Sequence, residues 1–134
     1  MCGIAGAIGW IDDGMVGAVR RMGSLIAHRG PDGEGFWAGA IPGDGAALTH
    51  RRLAIIDLSN AGRQPMFDPI NGNVIVFNGE IYNFRDVAEE LARLGQRLTT
   101  SSDTEVILAA YRQWGADCVH KLRGMFAFVL FDAR

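Results

Sequence analysis

The first ten residues, Met1-Cys2-Gly3-Ile4-Ala5-Gly6-Ala7-Ile8-Gly9-Trp10, place the tightest constraint on how this chain can fold. Positions 4, 8 and 10 are apolar, with glycine and alanine between them. That pattern reads as a buried strand with small side chains. A buried first strand carries its leading residues into the interior, where most chain termini would fray. The residue it carries is Cys2, one small-residue cleavage away from being the N-terminus. A free N-terminal cysteine combines a thiol and an α-amine on one Cα, and the question for the rest of the chain is what that pair could attack.

A length of 134 residues suits one domain with a real core and is too short for two. With 49% hydrophobic and 21% charged residues, the composition is that of a soluble globular protein. The net charge is −2 and no block of like charges occurs, so neither nucleic acid nor a membrane is expected as a partner. The longest apolar run, Met125 to Phe131, is far short of a bilayer span. No basic residue precedes Arg20, so the apolar start lacks the charged flank of a signal peptide and the expected compartment is cytoplasmic. Two cysteines, one of them at position 2, do not make a disulfide framework.

Along the chain, Asp12 and Asp13 open a helix whose apolar face is Met15, Val19, Met22 and Ile26. The turn-rich loop His28-Arg29-Gly30-Pro31-Asp32-Gly33-Glu34-Gly35 follows, then strands at 35–40 and 46–50 and a strand candidate at 53–57. A loop passes through Gln64-Pro65, and Asn71-Gly72 precedes a buried strand, Val74 to Phe77. Asn83 can cap a helix with Phe84, Val87, Leu91 and Leu94 inside, which Gly95 stops. Ser102-x-x-Glu105 has the form of a capping box for a second helix, with Val106, Ile107, Ala110, Tyr111 and Trp114 on its inner face. A short helix around 116–122 and a last strand, Met125 to Phe131, complete the chain. Strands occur both as hairpins and between helices, which predicts a layered domain of mixed α and β structure.

The chemistry begins with Cys2. An N-terminal residue brings its own base, an α-amine with an unperturbed pKa of about 7.7–8.0. Thiol and amine together can attack a carboxamide carbon, hold it as a thioester and release ammonia. The alternative is a small buried cysteine with no chemical role. Attack on an amide creates an oxyanion, and Asn78 with the Gly79 N–H could meet it. By pattern alone the same Asn-Gly pair leans slightly to a plain hairpin turn, although Asn71-Gly72 is the better hairpin candidate. Arg52 could clamp a substrate carboxylate, or sit as a solvated strand-end charge. Asp103 and Glu80 could receive an ammonium, and carbonyls of Leu53, Ala54, Ile55 and Ile56 could assist. Asp103 is otherwise ordinary in a helix's first turn. No phosphate-binding glycine run is present, Cys118 and His120 lack partners at metal-ligand spacing, and no metal site is expected.

Taken in order, the motifs stop being independent. Met-Cys-Gly-Ile at the start is followed by His28-Arg29-Gly30-Pro31-Asp32-Gly33 and Arg52-Leu53-Ala54-Ile55-Ile56-Asp57. Next come Asn78-Gly79-Glu80-Ile81-Tyr82-Asn83, Ser102-Asp103-Thr104-Glu105 and Gly124-Met125-Phe126-Ala127-Phe128. Together they resemble the glutaminase domain of glutamine-hydrolysing asparagine synthetases, which are class II amidotransferases. Pro31-Asp32, and Glu80 with Tyr82, point to that branch rather than to the phosphoribosyl-amine or glucosamine-phosphate branches. The resemblance covers essentially the whole chain.

It implies an α+β fold, the four-layer αββα sandwich of N-terminal-nucleophile hydrolases. Carried over by position, Cys2 is the nucleophile, Asn78 and Gly79 form the oxyanion hole, and Arg52 holds the carboxylate of L-glutamine. Asp103 with Glu80 holds the ammonium, and Leu53 to Ile56 lines the pocket. Residues 1–134 would be an incomplete glutamine amidotransferase type 2 domain, truncated at its C-terminus. The synthetase domain, a partner in the same parent chain that would bring ATP and Mg, is missing, and no cofactor is expected in this chain. A homodimer is left open. Two alternatives stand: a truncated or unprocessed domain, retaining Met1, that at most binds glutamine, and the glutaminase of a related amidotransferase with another acceptor.

Overall fold

Residues 2–41, 44–54 and 62–134 are described by the computed structural model. The first sheet comprises β1 (Gly3–Ile8), β2 (Gly33–Ile41) and β3 (Asp44–Arg52), in the order β1-β3-β2. The second comprises β4 (Met66–Phe67), β5 (Val74–Ile81) and β6 (Gly124–Phe131), in the order β4-β5-β6. Both are antiparallel, with Ile4 opposite His50, Gly35 opposite His50, and Asn78 opposite Ala127. The helices are α1 (Asp13–Leu25), α2 (Phe84–Arg93) and α3 (Asp103–Trp114), with 3₁₀ segments at Ala27–Arg29 and Gly115–Lys121.

Side-chain alternation builds the layers. Ala46 and Leu48 of β3 pack on Val74 and Val76 of β5, with Ile4, Trp37, Val129 and Phe131 around them. The opposite face of β5, carrying Ile75, Phe77 and Ile81, packs on Val87 and Leu91 of α2 and Val106 and Ile107 of α3. On the far side of the first sheet, Arg51 Nε donates to the Gly23 carbonyl of α1 at 2.9 Å. The layers are therefore α1, first sheet, second sheet, and α2 with α3, as the four-layer expectation has it. Leu91 and Ile107 are fully buried, and truncating either to alanine is expected to cost about 2–5 kcal/mol.

Local chemistry sets the helix ends, and here several expectations change. Asp12 accepts from the Met15 N–H at 2.8 Å, as its capping pattern predicts. The face of α1 differs: Val19 and Gly23 are its buried residues, while Met15 and Met22 are 37% and 41% exposed. Gly23 has no side chain, so Thr49 of β3 can close on the helix there. Asn83 stands at the N-cap of α2 without capping it. Its amide instead donates to the Lys121 carbonyl and accepts from the Arg123 N–H. Ser102 caps α3 through the Thr104 N–H, but Glu105 does not reach back to Ser102. Glu105 accepts from the backbone and hydroxyl groups of Thr99 and Thr100.

Two strands also move. Arg51 and Arg52 end β3, and Leu53 and Ala54 leave the sheet, so the predicted strand at 53–57 does not begin there. Residues 55–57 lie outside the described residues. The strand expected at Val74 to Phe77 runs on through Asn78 and Gly79 to Ile81. The turn falls earlier, at Asn71-Gly72, where Gly72 has φ +77° and Asn71 Oδ1 accepts from the Asn73 N–H.

Candidate active site

The space between the sheets collects the residues that matter. Cys2 shares the face of Ile4, Arg52 and His50 share that of Leu48, and Asn78 and Glu80 share that of Val76. Three strands thus turn these residues toward the space between the sheets. Cys2 is a half-buried free thiol, and its Sγ accepts from the Leu53 N–H at 3.4 Å. The Leu53 carbonyl lies 3.8 Å from the same sulfur. Arg29 Nε donates to the Cys2 carbonyl at 3.1 Å, holding the Cys2 backbone from the other side.

The loop 28–33 also fixes the end of β3. The Asp32 N–H donates to the Arg52 carbonyl at 3.0 Å, and Asp32 Oδ2 accepts from the Ala54 N–H at 2.9 Å. Gly30 is required by this approach, since a Cβ there would overlap the Arg51–Arg52 backbone. Of the four residues expected to line the pocket here, Leu53 and Ala54 lie beside Cys2 and Asp32. Ile55 and Ile56 lie outside the described residues.

The edge of β5 that faces away from β6 carries the donors. Phe77 N–H donates to Gln64 Oε1 at 2.6 Å, and Ile81 N–H donates to Asp103 Oδ2 at 3.2 Å. Strand alternation puts the Gly79 N–H between them on that same edge. Gly79 has φ +150°, and a Cβ there would overlap the Met125 carbonyl of β6, so glycine is demanded on two counts. The Oδ1 atom of Asn78 is buried and has no hydrogen-bond partner among the described residues.

Asp103 opens α3 and joins it to β5 through Ile81. Burial raises its carboxyl pKa, the backbone bonds from Ile81 and Thr104 lower it, and nearby Glu80 raises it again. Asp103 and Glu80 therefore form a close acidic pair, Glu80 exposed at the rim.

His50 and Gln64 were given no place at the site from the sequence. His50 is 1% exposed and titrates at about 4. Burial is the main cause, opposed by a hydrogen bond to the Phe77 backbone and reinforced by Arg52. The signal was in the alternation Ala46, Leu48, His50, Arg52, which turns all four residues inward. Gln64 is buried inside what read as a plain loop. Its Nε2 donates to the Thr104 hydroxyl at 3.2 Å, and a Cβ on Gly35 would overlap its carbonyl. Nothing local in the sequence announces it. Cys118 is also buried, and burial followed by Asp117 pushes its thiol pKa up, which leaves it unreactive.

Among the described residues, no group of histidine, cysteine, aspartate or glutamate side chains could hold a metal ion. No helix among them is long and apolar enough to cross a membrane.

Comparison with known proteins agrees with this geometry. Residues 1–134 match the family model described as a glutamine amidotransferase domain. The chain is 44% identical over 114 residues to asparagine synthetase [glutamine-hydrolyzing] 1 of Bacillus subtilis, covering 85% of this chain and 17% of that protein. It is 42% identical over 113 residues to asparagine synthetase B [glutamine-hydrolyzing] of Escherichia coli, covering 84% of this chain and 19% of that protein. The chain thus spans about a fifth of the length of these curated relatives. Among solved structures, glutamine phosphoribosylpyrophosphate amidotransferase from B. subtilis matches with a TM-score of 0.75 at 20% identity, over 96% of this chain and 35% of that one. That likeness speaks for the fold alone. The chain belongs to the glutamine amidotransferase domain family.

Proposed function

We propose that this domain hydrolyses the side-chain amide of glutamine to glutamate and ammonia through a thioester on Cys2. The observation that supports the reading is that strand alternation turns Cys2, Arg52 and Asn78 toward the space between the sheets, with the Gly79 N–H beside them on the edge of β5 that faces away from β6. Removal of Met1, which lies outside the described residues, exposes the α-amine. The amine takes the thiol proton and the sulfur attacks the carboxamide carbon. The oxyanion that forms meets the Asn78 side-chain amide and the Gly79 N–H. The proton then passes to the departing nitrogen, which leaves as ammonia. Water attacks the thioester, releasing glutamate and returning the thiol. Arg52 pairs with the α-carboxylate, and Asp103 with Glu80 takes the α-ammonium, while Leu53 and Ala54 wall the pocket, with Ile55 and Ile56 assigned the same part.

In the parent protein we assign the ammonia to asparagine synthesis from aspartate and ATP. That assignment rests on the names of the curated relatives and on their greater length. ATP and magnesium would belong to that second domain, and this one needs no cofactor for amide hydrolysis. Protein lacking Met1 is expected to release glutamate and ammonia in equal amounts from glutamine. Cys2→Ala should release neither, and equal release by Cys2→Ala would sink the reading.

A further inference from the structure

We propose that Gln64 is a positioning residue for this site, a strut that sets the distance between the oxyanion strand and the ammonium-binding helix. The inference rests on the hydrolysis reading and extends it. Gln64 is only 9% exposed, and both ends of its amide are engaged. Its Oε1 takes the Phe77 N–H, one residue before Asn78, and its Nε2 reaches the Thr104 hydroxyl, one residue after Asp103.

The reason a side chain is needed there lies in the sheet. β4 has two residues, and its pairing with β5 ends at Met66 opposite Ile75. Phe77 therefore turns its N–H toward a place where the neighbouring strand has run out. A buried N–H left without an acceptor loses the hydrogen bond that water gave it in the unfolded chain. Gln64 supplies that acceptor two residues upstream of the strand, and its other end ties α3 to the same point. The backbone around it is wedged as well. Gly35 of β2 abuts the Gln64 carbonyl, and Gly62 lies close enough to Arg52 that a Cβ there would sit 2.8 Å from the guanidinium. One short segment thus touches the strand before Asn78, the helix turn of Asp103, and Arg52.

A strut of this kind acts on the geometry of the bound glutamine and leaves the thiol itself alone. Alkylation of Cys2 by iodoacetamide is a displacement at carbon that needs no oxyanion donor, whereas amide hydrolysis does. The test compares both reactions in Met1-free protein for the parent, Gln64→Met and Thr104→Val. Gln64→Met is expected to lose about a hundredfold in kcat/KM for glutamine, while Cys2 alkylation stays within about twofold. Thr104→Val removes only the far hydrogen bond and is expected to raise KM about tenfold. It carries the test if Gln64→Met does not fold. A folded Gln64→Met with parental kcat/KM overturns the strut and leaves the hydrolysis reading standing, and so does Thr104→Val with parental KM. A parent protein that alkylates at Cys2 but does not hydrolyse glutamine overturns both.

Discussion

The backbone N–H of Leu53 donates to Cys2 Sγ at 3.4 Å, so the residue that follows Arg52 also holds the thiol. Cys2 and Arg52 are neighbours because β1 and β3 pair antiparallel, with Gly3 opposite Arg51. The loop at 28–33 closes over this junction from outside. In the proposed chemistry the two ends of glutamine are set by one strand end, and small shifts there are expected to be felt at both.

Gly30 tests that junction. A methyl group at this position overlaps the Arg51–Arg52 peptide, and backbone cannot swing aside as a side chain can. Gly30→Ala is expected to lose about 1–3 kcal/mol in denaturant unfolding, the usual cost of overpacking. Its KM for glutamine should rise with the displacement of Arg52. Parental stability in Gly30→Ala would show that the loop does not press on β3.

Gly79 tests the donor edge. Gly79→Ala forces a side chain into a φ of +150° and against β6, and so moves the N–H between Phe77 and Ile81. Loss of one oxyanion donor costs about 10²–10³ in kcat. Steady-state kinetics on folded Gly79→Ala should show at least that drop, and a kcat within twofold of the parent would remove Gly79 from the site.

How much of this was readable from the chain depends on where each residue's partner sits. Val87 and Leu91, or Val106 and Ile107, declare themselves by spacing, because their burial follows from the period of one helix. Cys2, Asn78 and Asp103 were legible only as a set of motifs, each with an ordinary explanation of its own. Asn78-Gly79 leans to a hairpin by pattern alone, the resemblance sets that aside, and the pairing of β5 with β6 through Ile81 puts the pair within a strand. Gln64 and Glu105 were illegible in their roles. Their partners are Phe77 and Thr104 in one case and Thr99 with Thr100 in the other, and those pairings are products of tertiary packing.

Asp103 sets function against stability. Its carboxyl pKa is raised by burial in the fold, so the folded state binds a proton more readily than the unfolded one. Stability therefore falls as pH rises through the range between its ordinary value of 3.8 and its raised one, and the ionised form remains a cost at neutral pH. Asp103→Asn keeps an acceptor for the Ile81 N–H and removes that cost. The variant is expected to be at least as stable as the parent at pH 7, with KM for glutamine raised tenfold or more by loss of the charged partner. Thermal unfolding and a KM measurement together check both halves.

His50 has the opposite sign. Its pKa of about 4 in the fold lies below the ordinary 6.5. The unfolded chain takes up that proton first, so stability is complete above pH 6.5, falls as the pH drops toward 4, and flattens below it. The full effect is about 3 kcal/mol by linkage. Urea unfolding from pH 7.5 to 4 should show this loss in the parent and much less of it in His50→Gln. Identical pH profiles would assign the loss to other groups.

The most direct test looks at Cys2 itself. Met1-free protein mixed with glutamine and quenched in acid should yield an N-terminal peptide heavier by one glutamyl group. That adduct should be labile to hydroxylamine and absent from Cys2→Ala. A parent that releases glutamate without any adduct on Cys2, while Cys2→Ala releases it as fast, would contradict hydrolysis through the thioester.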